Sequence, residues 1–183
     1  ENKFNKTLFY APEGHPKRYD NLFYNFVYGE ESKLAGTGLR EAQFKDVFEH
    51  KNFEEVITFI LPEIYGMQPW NFEDENIYLE FCTGLFDFEI PQYSESLPIR
   101  LASFFYPDYF IPIFKLDHLK KICDPLGIDT DAKNKGDELF AYNLFLTKYM
   151  KAVPYNNYIK SRMAYQILYS VELYNRLQSG EKY

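Results

Sequence analysis

The segment LPIRLASFFYPDYFIPIF at residues 97–114 restricts the fold more than any other part of this chain. Leu97, Leu101, Phe104 and Phe105 fall on one face of a helix. Pro98 suits that helix's first turn, where a missing N–H costs nothing. A residue that precedes proline is driven out of the α region, so Tyr106 before Pro107 and Ile111 before Pro112 both favour extended backbone. The helix must therefore end near Phe105. Helical spacing resumes with Leu116, Leu119, Lys120 and Cys123 and stops again at Pro125-Leu126-Gly127. Two helices are expected to meet across a rigid, ring-rich corner.

Helical periodicity runs through most of the remaining chain. Tyr19, Leu22, Phe23, Phe26 and Val27 mark a helix ending near Gly29, and Gly36-Thr37-Gly38 makes a loop before another over 39–48. Phe53, Val56, Ile57, Ile60 and Leu61 repeat the pattern, and Ile64 and Tyr65 follow in phase beyond Pro62, which predicts a kinked continuation to Gly66. Residues 67–74 are turn-rich and include Trp70; 77–88, whose apolar residues are both periodic and contiguous, fit helix or strand and are read as helix; 90–96 are loop. After a polar loop over 129–136, one stripe holds Leu139, Tyr142, Leu146, Tyr149, Met150 and Val153. A second holds Ile159, Met163, Ile167, Val171, Tyr174 and Leu177. Two such helices joined by a short proline-containing turn at 153–157 predict an antiparallel hairpin. The expected fold is mainly α: an irregular helical bundle with a C-terminal helical hairpin and little or no sheet. It divides into an acidic helical part over 1–96 and a second helical part over 97–183, together one compact domain.

At 183 residues the chain is long enough to bury about 70% of the surface its unfolded form exposes. Aromatics make up 20% of it, with 17 Tyr and 18 Phe against one Trp, so the core is expected to be built of rings whose hydroxyls seek partners at its edge. Cys82 and Cys123 stand 41 positions apart with no CxxC spacing and no paired His. That points away from a zinc site or a disulfide scaffold and towards a reduced, cytoplasmic setting. No run approaches the roughly 18–20 apolar residues of a membrane span, and the polar start lacks the apolar stretch of a signal peptide. A first residue Glu1 and a polar tail at 179–183 read as a piece of a longer protein.

Charge is divided unevenly along the chain. Residues 1–97 carry 8 basic and 18 acidic side chains, residues 98–183 carry 12 and 9, and the net charge is −7. An acidic whole disfavours nonspecific nucleic-acid binding, which depends on neutralising phosphates. The second half still offers Lys148, Lys151, Lys160 and Arg162 around the break at 153–157 as candidate nucleic-acid-binding residues.

Catalytic patterns are wanting. His15, His50 and His118 are scattered without metal-ligand spacing, so each reads as a surface or capping residue, and no metal or cofactor is implied. Asp129 and Asp131 lack the glycine and bidentate Glu of a calcium loop. Gly36-Thr37-Gly38 lacks the third glycine and leading strand of a dinucleotide fingerprint, and no phosphate-cradling G-x-x-x-x-G-K-[ST] occurs. Glu30-Glu31, Glu54-Glu55 and Glu73-Asp74-Glu75 show no sign of the differing environments an acid–base pair needs. Glu54 and Glu55 suit a helix N-terminus instead.

Three elements carry a family resemblance: Asn21-Leu22-Phe23-Tyr24-Asn25-Phe26-Val27-Tyr28-Gly29-Glu30-Glu31, the corner from Leu101 to Phe114, and His118-Leu119 with Leu126-Gly127-Ile128. Together, over about residues 20–31 and 97–175, the chain resembles the helical region preceding the AAA+ GTPase module of McrB-like restriction proteins. The resemblance implies a parent that recognises DNA, hydrolyses GTP in a homo-oligomeric ring and recruits a McrC-like nuclease. None of the GTPase signatures lies in this chain, so no catalytic residue carries over. The expectation is a noncatalytic N-terminal or linking domain that contacts DNA or couples DNA engagement to the ring. The alternative is a protein–protein interaction scaffold without nucleic-acid binding.

Overall fold

A computed structural model describes residues 46–48, 50–91, 93, 96–131 and 135–179. Its helices are α1 (Phe53–Ile60), α2 (Glu75–Phe86), α3 (Ser96–Phe105), α4 (Leu116–Cys123), α5 (Lys135–Tyr149) and α6 (Asn157–Ser179). Tight 3-10 turns lie at Pro62–Tyr65 and Asp124–Leu126. Residues 46–48 are also helical, and no strand occurs among the described residues. The fold is mainly α. The helix expected over 19–29, the loop at 36–38 and most of the helix over 39–48 lie outside the described residues.

The corner is built as its prolines require. α3 stops at Phe105, and Tyr109 and Phe110 donate their N–H groups to the Tyr106 carbonyl, turning the chain over Pro107. Across Pro112 the Ile113 N–H reaches the Ile111 carbonyl at 2.7 Å, a three-residue turn that proline's fixed φ favours. Ile111 itself is sealed in the core, where unpaired backbone groups are costly. Asn143 of α5 meets both of them: its side-chain carbonyl accepts from the Ile111 N–H at 3.1 Å, and its amide donates to the Ile111 carbonyl at 2.7 Å. The buried Asn143 thus replaces the ladder partner that a strand would have supplied.

Rings fill the space around this clamp. Phe72 lies within 4.7–6.0 Å of Tyr78, Phe81, Tyr106, Tyr109 and Phe110, centroid to centroid. Phe110 in turn stacks on Tyr78 at 4.7 Å and meets Phe140 edge-on at 6.1 Å. Each such pair adds about 0.5–1.5 kcal/mol beyond the area it buries. Three polar edges of these rings cap helix ends: the Trp70 indole donates to the Phe59 carbonyl, the Tyr106 hydroxyl to that of Ile60, and the Tyr93 hydroxyl to that of Leu85. Those carbonyls belong to the last turns of α1 and α2, where no intrahelical donor remains. Gly84 of α2 leaves room for the Phe59 ring, which would lie 2.6 Å from a Cβ placed there.

Several local expectations are corrected. Pro62 ends α1 and does not kink it. Leu61 sits at φ −119°, ψ 62°, outside the α region as its proline neighbour demands, and the 3-10 turn closes on Gly66 at φ 78°. Ile64 is exposed as a result. α5 begins at Lys135, inside the expected polar loop. All of its side chains from Leu139 to Leu144 are buried, while Tyr149, placed on the inner stripe by periodicity, points outward. Val153 lies beyond its end. α3 is likewise buried all round from Leu97 to Ser103, Arg100 included, whose guanidinium lies 4.1 Å over the Phe114 ring. Periodicity finds one face, and a helix surrounded by others needs more than one.

The largest correction concerns α6. Its inner face consists of Asn157, Lys160, Ser161, Ala164 and Leu168, whereas Ile159 and Met163 are exposed and Ile167 and Val171 half-buried. The side chains of Tyr174 and Leu177 lie outside the described residues. The period is correct and the face is reversed, because small side chains at Ser161 and Ala164 allow close approach where bulky ones do not. α5 and α6 come close to one another at few positions: α5 packs on α4 and α2, and α6 on α4. Leu119, Ile122 and Cys123 bury the inner side of α4. Lys120 pairs with Glu138 of α5 at 2.6 Å, Lys121 lies 3.9 Å from Glu172 of α6, and His118 Nδ1 is 3.1 Å from the Tyr165 hydroxyl. Burial and the Lys115 ammonium hold the His118 imidazole below its ordinary value, which fits a neutral ring accepting from Tyr165.

Asn143→Leu removes both partners of Ile111 while keeping most of the volume, and is expected to lower stability by about 2–5 kcal/mol, measured as a reduced urea midpoint at unchanged slope. A second outcome concerns high pH. Burial raises the phenols of Tyr78, Tyr93 and Tyr106, and moves that of Tyr165 to about 12 from 10.0. The unfolded chain therefore releases these protons first, so their contribution to stability is full below pH 10 and is lost as pH rises through the folded values. Tyrosinate absorbance and loss of helical circular dichroism are expected to rise together in alkali. Ionisation of most tyrosines ahead of unfolding would contradict it.

Candidate functional site

Two cavities flank the seam where α2 packs on α5. The larger, about 290 Å³, opens between Leu79, Cys82 and Thr83 of α2 and Asp137, Ala141 and Phe145 of α5. The smaller, about 140 Å³, lies toward the C-terminal end of α5 and reaches the corner and α6. Glu75 and Leu144 line both. α2 is positioned for this by Asp74, whose carboxylate accepts the Asn76 and Ile77 N–H groups at 2.8 and 3.4 Å and so caps the helix in the usual manner. Asn156 does the same for α6, accepting from the Ile159 N–H at 3.0 Å.

Three of the four sequence-derived basic candidates converge on the smaller cavity. Lys148, Lys151 and Lys160 all line it. Lys148 is engaged by Glu75 in an ion pair, Lys151 is exposed in the turn after α5, and Lys160 is only 9% exposed on the inner face of α6. Arg162 is not brought to them. Two residues along a helix turn it by roughly 200°, and Arg162 is exposed on the far side of α6. The carboxylates of Glu73, Glu75 and Asp108 line the same cavity, so the lysines are interleaved with acids and form no continuous basic surface.

Tyr78 was not singled out by the sequence, yet it forms part of the cavity wall while stacked on Phe110. Its hydroxyl is buried and has no hydrogen-bond partner. The Cys82 thiol stands beside it and interacts with it, and burial pushes both groups well up. Cys82 and Cys123 are free, buried thiols. An aromatic four residues after an N-capping Asp was the available signal.

Neither described histidine lines these cavities. His50 Nδ1 accepts from the Asn52 N–H at 3.2 Å in the turn ahead of α1, and His118 braces α4 against α6. His15 lies outside the described residues. Among the described residues no three His, Cys, Asp or Glu side chains gather as a metal site, and no helix is long and apolar enough to cross a membrane.

The outer face of α6 is the other unusual surface. Ile159, Met163, Tyr169 and Leu173 are 42%, 38%, 56% and 41% exposed. After Leu168 no described side chain of this helix is buried. No protein-family model, curated protein or solved structure matches the chain.

Proposed function

We propose that this chain works by binding, as a noncatalytic helical interaction domain that docks a protein partner through the outer face of α6. The exposure of Ile159, Met163, Tyr169 and Leu173 carries this reading. A helix that turns small and polar side chains inward and large apolar ones outward keeps unsatisfied apolar surface for another molecule. At roughly 35 Å for its 23 residues, α6 also outruns the helix it packs on. The resemblance to McrB-like proteins supplies a setting: a linking domain whose neighbours are ring subunits or a McrC-like nuclease, in a parent that performs the chemistry elsewhere.

Contact with DNA has less support from the geometry. Of its four proposed residues, Lys148 is held by Glu75, Lys160 is buried, and Arg162 faces away from both. Phosphate tracking requires cations spread along one accessible surface.

The reading is tested by placing a photo-cross-linking residue at Met163 or Tyr169 in cells that make the full protein. Protein adducts are expected from both positions and are expected to fall at least severalfold when Ile159→Glu and Leu173→Glu are added, with helical circular dichroism unchanged. Adducts insensitive to those changes would refute the surface. Duplex binding by the purified chain that weakens steeply with salt, and is lost in Lys151→Glu with Arg162→Glu, would restore DNA as the ligand.

A further inference from the structure

We propose that the partner docked by the outer face of α6 is a second copy of this chain, which presents the turn at residues 62–67; the inference rests on the α6 reading and names its occupant. The turn is built to project. After Pro62 the Gly66 N–H donates to the Glu63 carbonyl and the Met67 N–H to the Pro62 carbonyl, each at 3.1 Å, around Gly66 at φ 78°. This pair of bonds closes many helix ends, where the residue after the left-handed position commonly folds an apolar side chain back on the preceding turn. Met67 nonetheless stays 51% exposed, and Ile64 is 42% exposed beside it. The backbone is satisfied, its shape is fixed, and two large apolar side chains face water.

Charge selects this turn as the complement of α6. Of residues 46–97 only Lys51 is basic, while twelve are acidic, and Glu63, next to Ile64, is exposed. α6 is the reverse. Arg162 and Arg176 are its exposed charges, and its one acid, Glu172, is half-buried and 3.9 Å from Lys121 of α4. At about 100° per residue, Arg162, Tyr169, Leu173 and Arg176 fall within about 60° of one another, with Ile159 and Met163 alongside. An apolar stripe edged by cations on one copy therefore suits an apolar turn set among acids on another. Antiparallel pairing of two α6 helices about Tyr169 would instead set Arg162 of each copy against Arg176 of the other, which repels. The contact is thus head-to-tail, and each pair keeps one patch of either kind open. A single turn on one helix face covers less than the roughly 1,200 Å² of a stable interface, so the association is weak and depends on concentration.

Sedimentation of the whole chain over about a hundredfold range of concentration is expected to show an average mass rising above that of one copy. High salt is expected to weaken the association severalfold, because its ion pairs are exposed and screened. Ile64→Lys with Met67→Lys spoils the turn, and Ile159→Glu with Leu173→Glu spoils α6. All four side chains are exposed, so each double variant is expected to keep its helical circular dichroism and to remain a monomer alone. Mixed, the two variants are expected to form a one-to-one pair that grows no further, since each has the patch the other lacks. A wild-type chain that stays monomeric, self-association of the turn variant, or failure of the mixture to pair would each overturn the assignment. Cross-linked adducts from Met163 that contain a different protein, yet fall with Ile159→Glu and Leu173→Glu, would overturn it while leaving the α6 surface standing. Adducts insensitive to those changes would remove both.

Discussion

The two hydrogen bonds between the Asn143 side chain and the backbone of Ile111 are the contact on which the remaining architecture depends. Proline rules shape the corner, and they also strip it of regular backbone pairing. A segment without helix or sheet belongs at the surface unless something else meets its polar groups. Here a single amide does so, and it allows Phe110, Ile111 and Ile113 to be fully buried. With those side chains inside, α3 and α5 are held on either side of the same irregular strand of chain. The Ile111 carbonyl serves twice, accepting from Ile113 as well as from Asn143, which uses both of its lone pairs.

The abundance of rings follows from the same need to reconcile burial with polarity. Helices shorter than about twelve residues are marginal alone, and α1, α3 and α4 have 8, 10 and 8 residues. Short helices also have a high proportion of terminal carbonyls. Tyr and Trp meet both demands at once: a large apolar body fills the core, and one donor at its rim reaches a helix end. Trp70, Tyr93 and Tyr106 do this for α1 and α2. Tyr158 adds a longer contact of 3.3 Å to Ser103 at the far side of α3.

Much of this was legible in the residues. The corner, the stop at Phe105, the helix at 116–123 and the close at Gly127 follow from proline sterics and glycine's tolerance of positive φ, which act over neighbouring positions and need no knowledge of the fold. What periodicity could not read was orientation. In α6 the bulkier residues and the smaller residues each recur at helical spacing, and hydrophobicity alone selects the bulkier set. Close packing on α4 selects the other. Asn143 was hidden for a related reason: within Phe140-Ala141-Tyr142-Asn143-Leu144 it is one polar residue in an apolar run, and its partner lies 32 positions away. The lysines gave part of the site, since three of four do meet, but the acids that join them come from α2 and the corner, remote in sequence.

α4 sits between the two longest helices. Its eight residues lie against both α5 and α6, and α5 is held on α2 as well. α6 is held by buried side chains from Asn157 as far as Leu168 and runs on to Ser179 without another among the described residues. A neighbour that meets the distal half of α6 therefore meets the helix where the core holds it least.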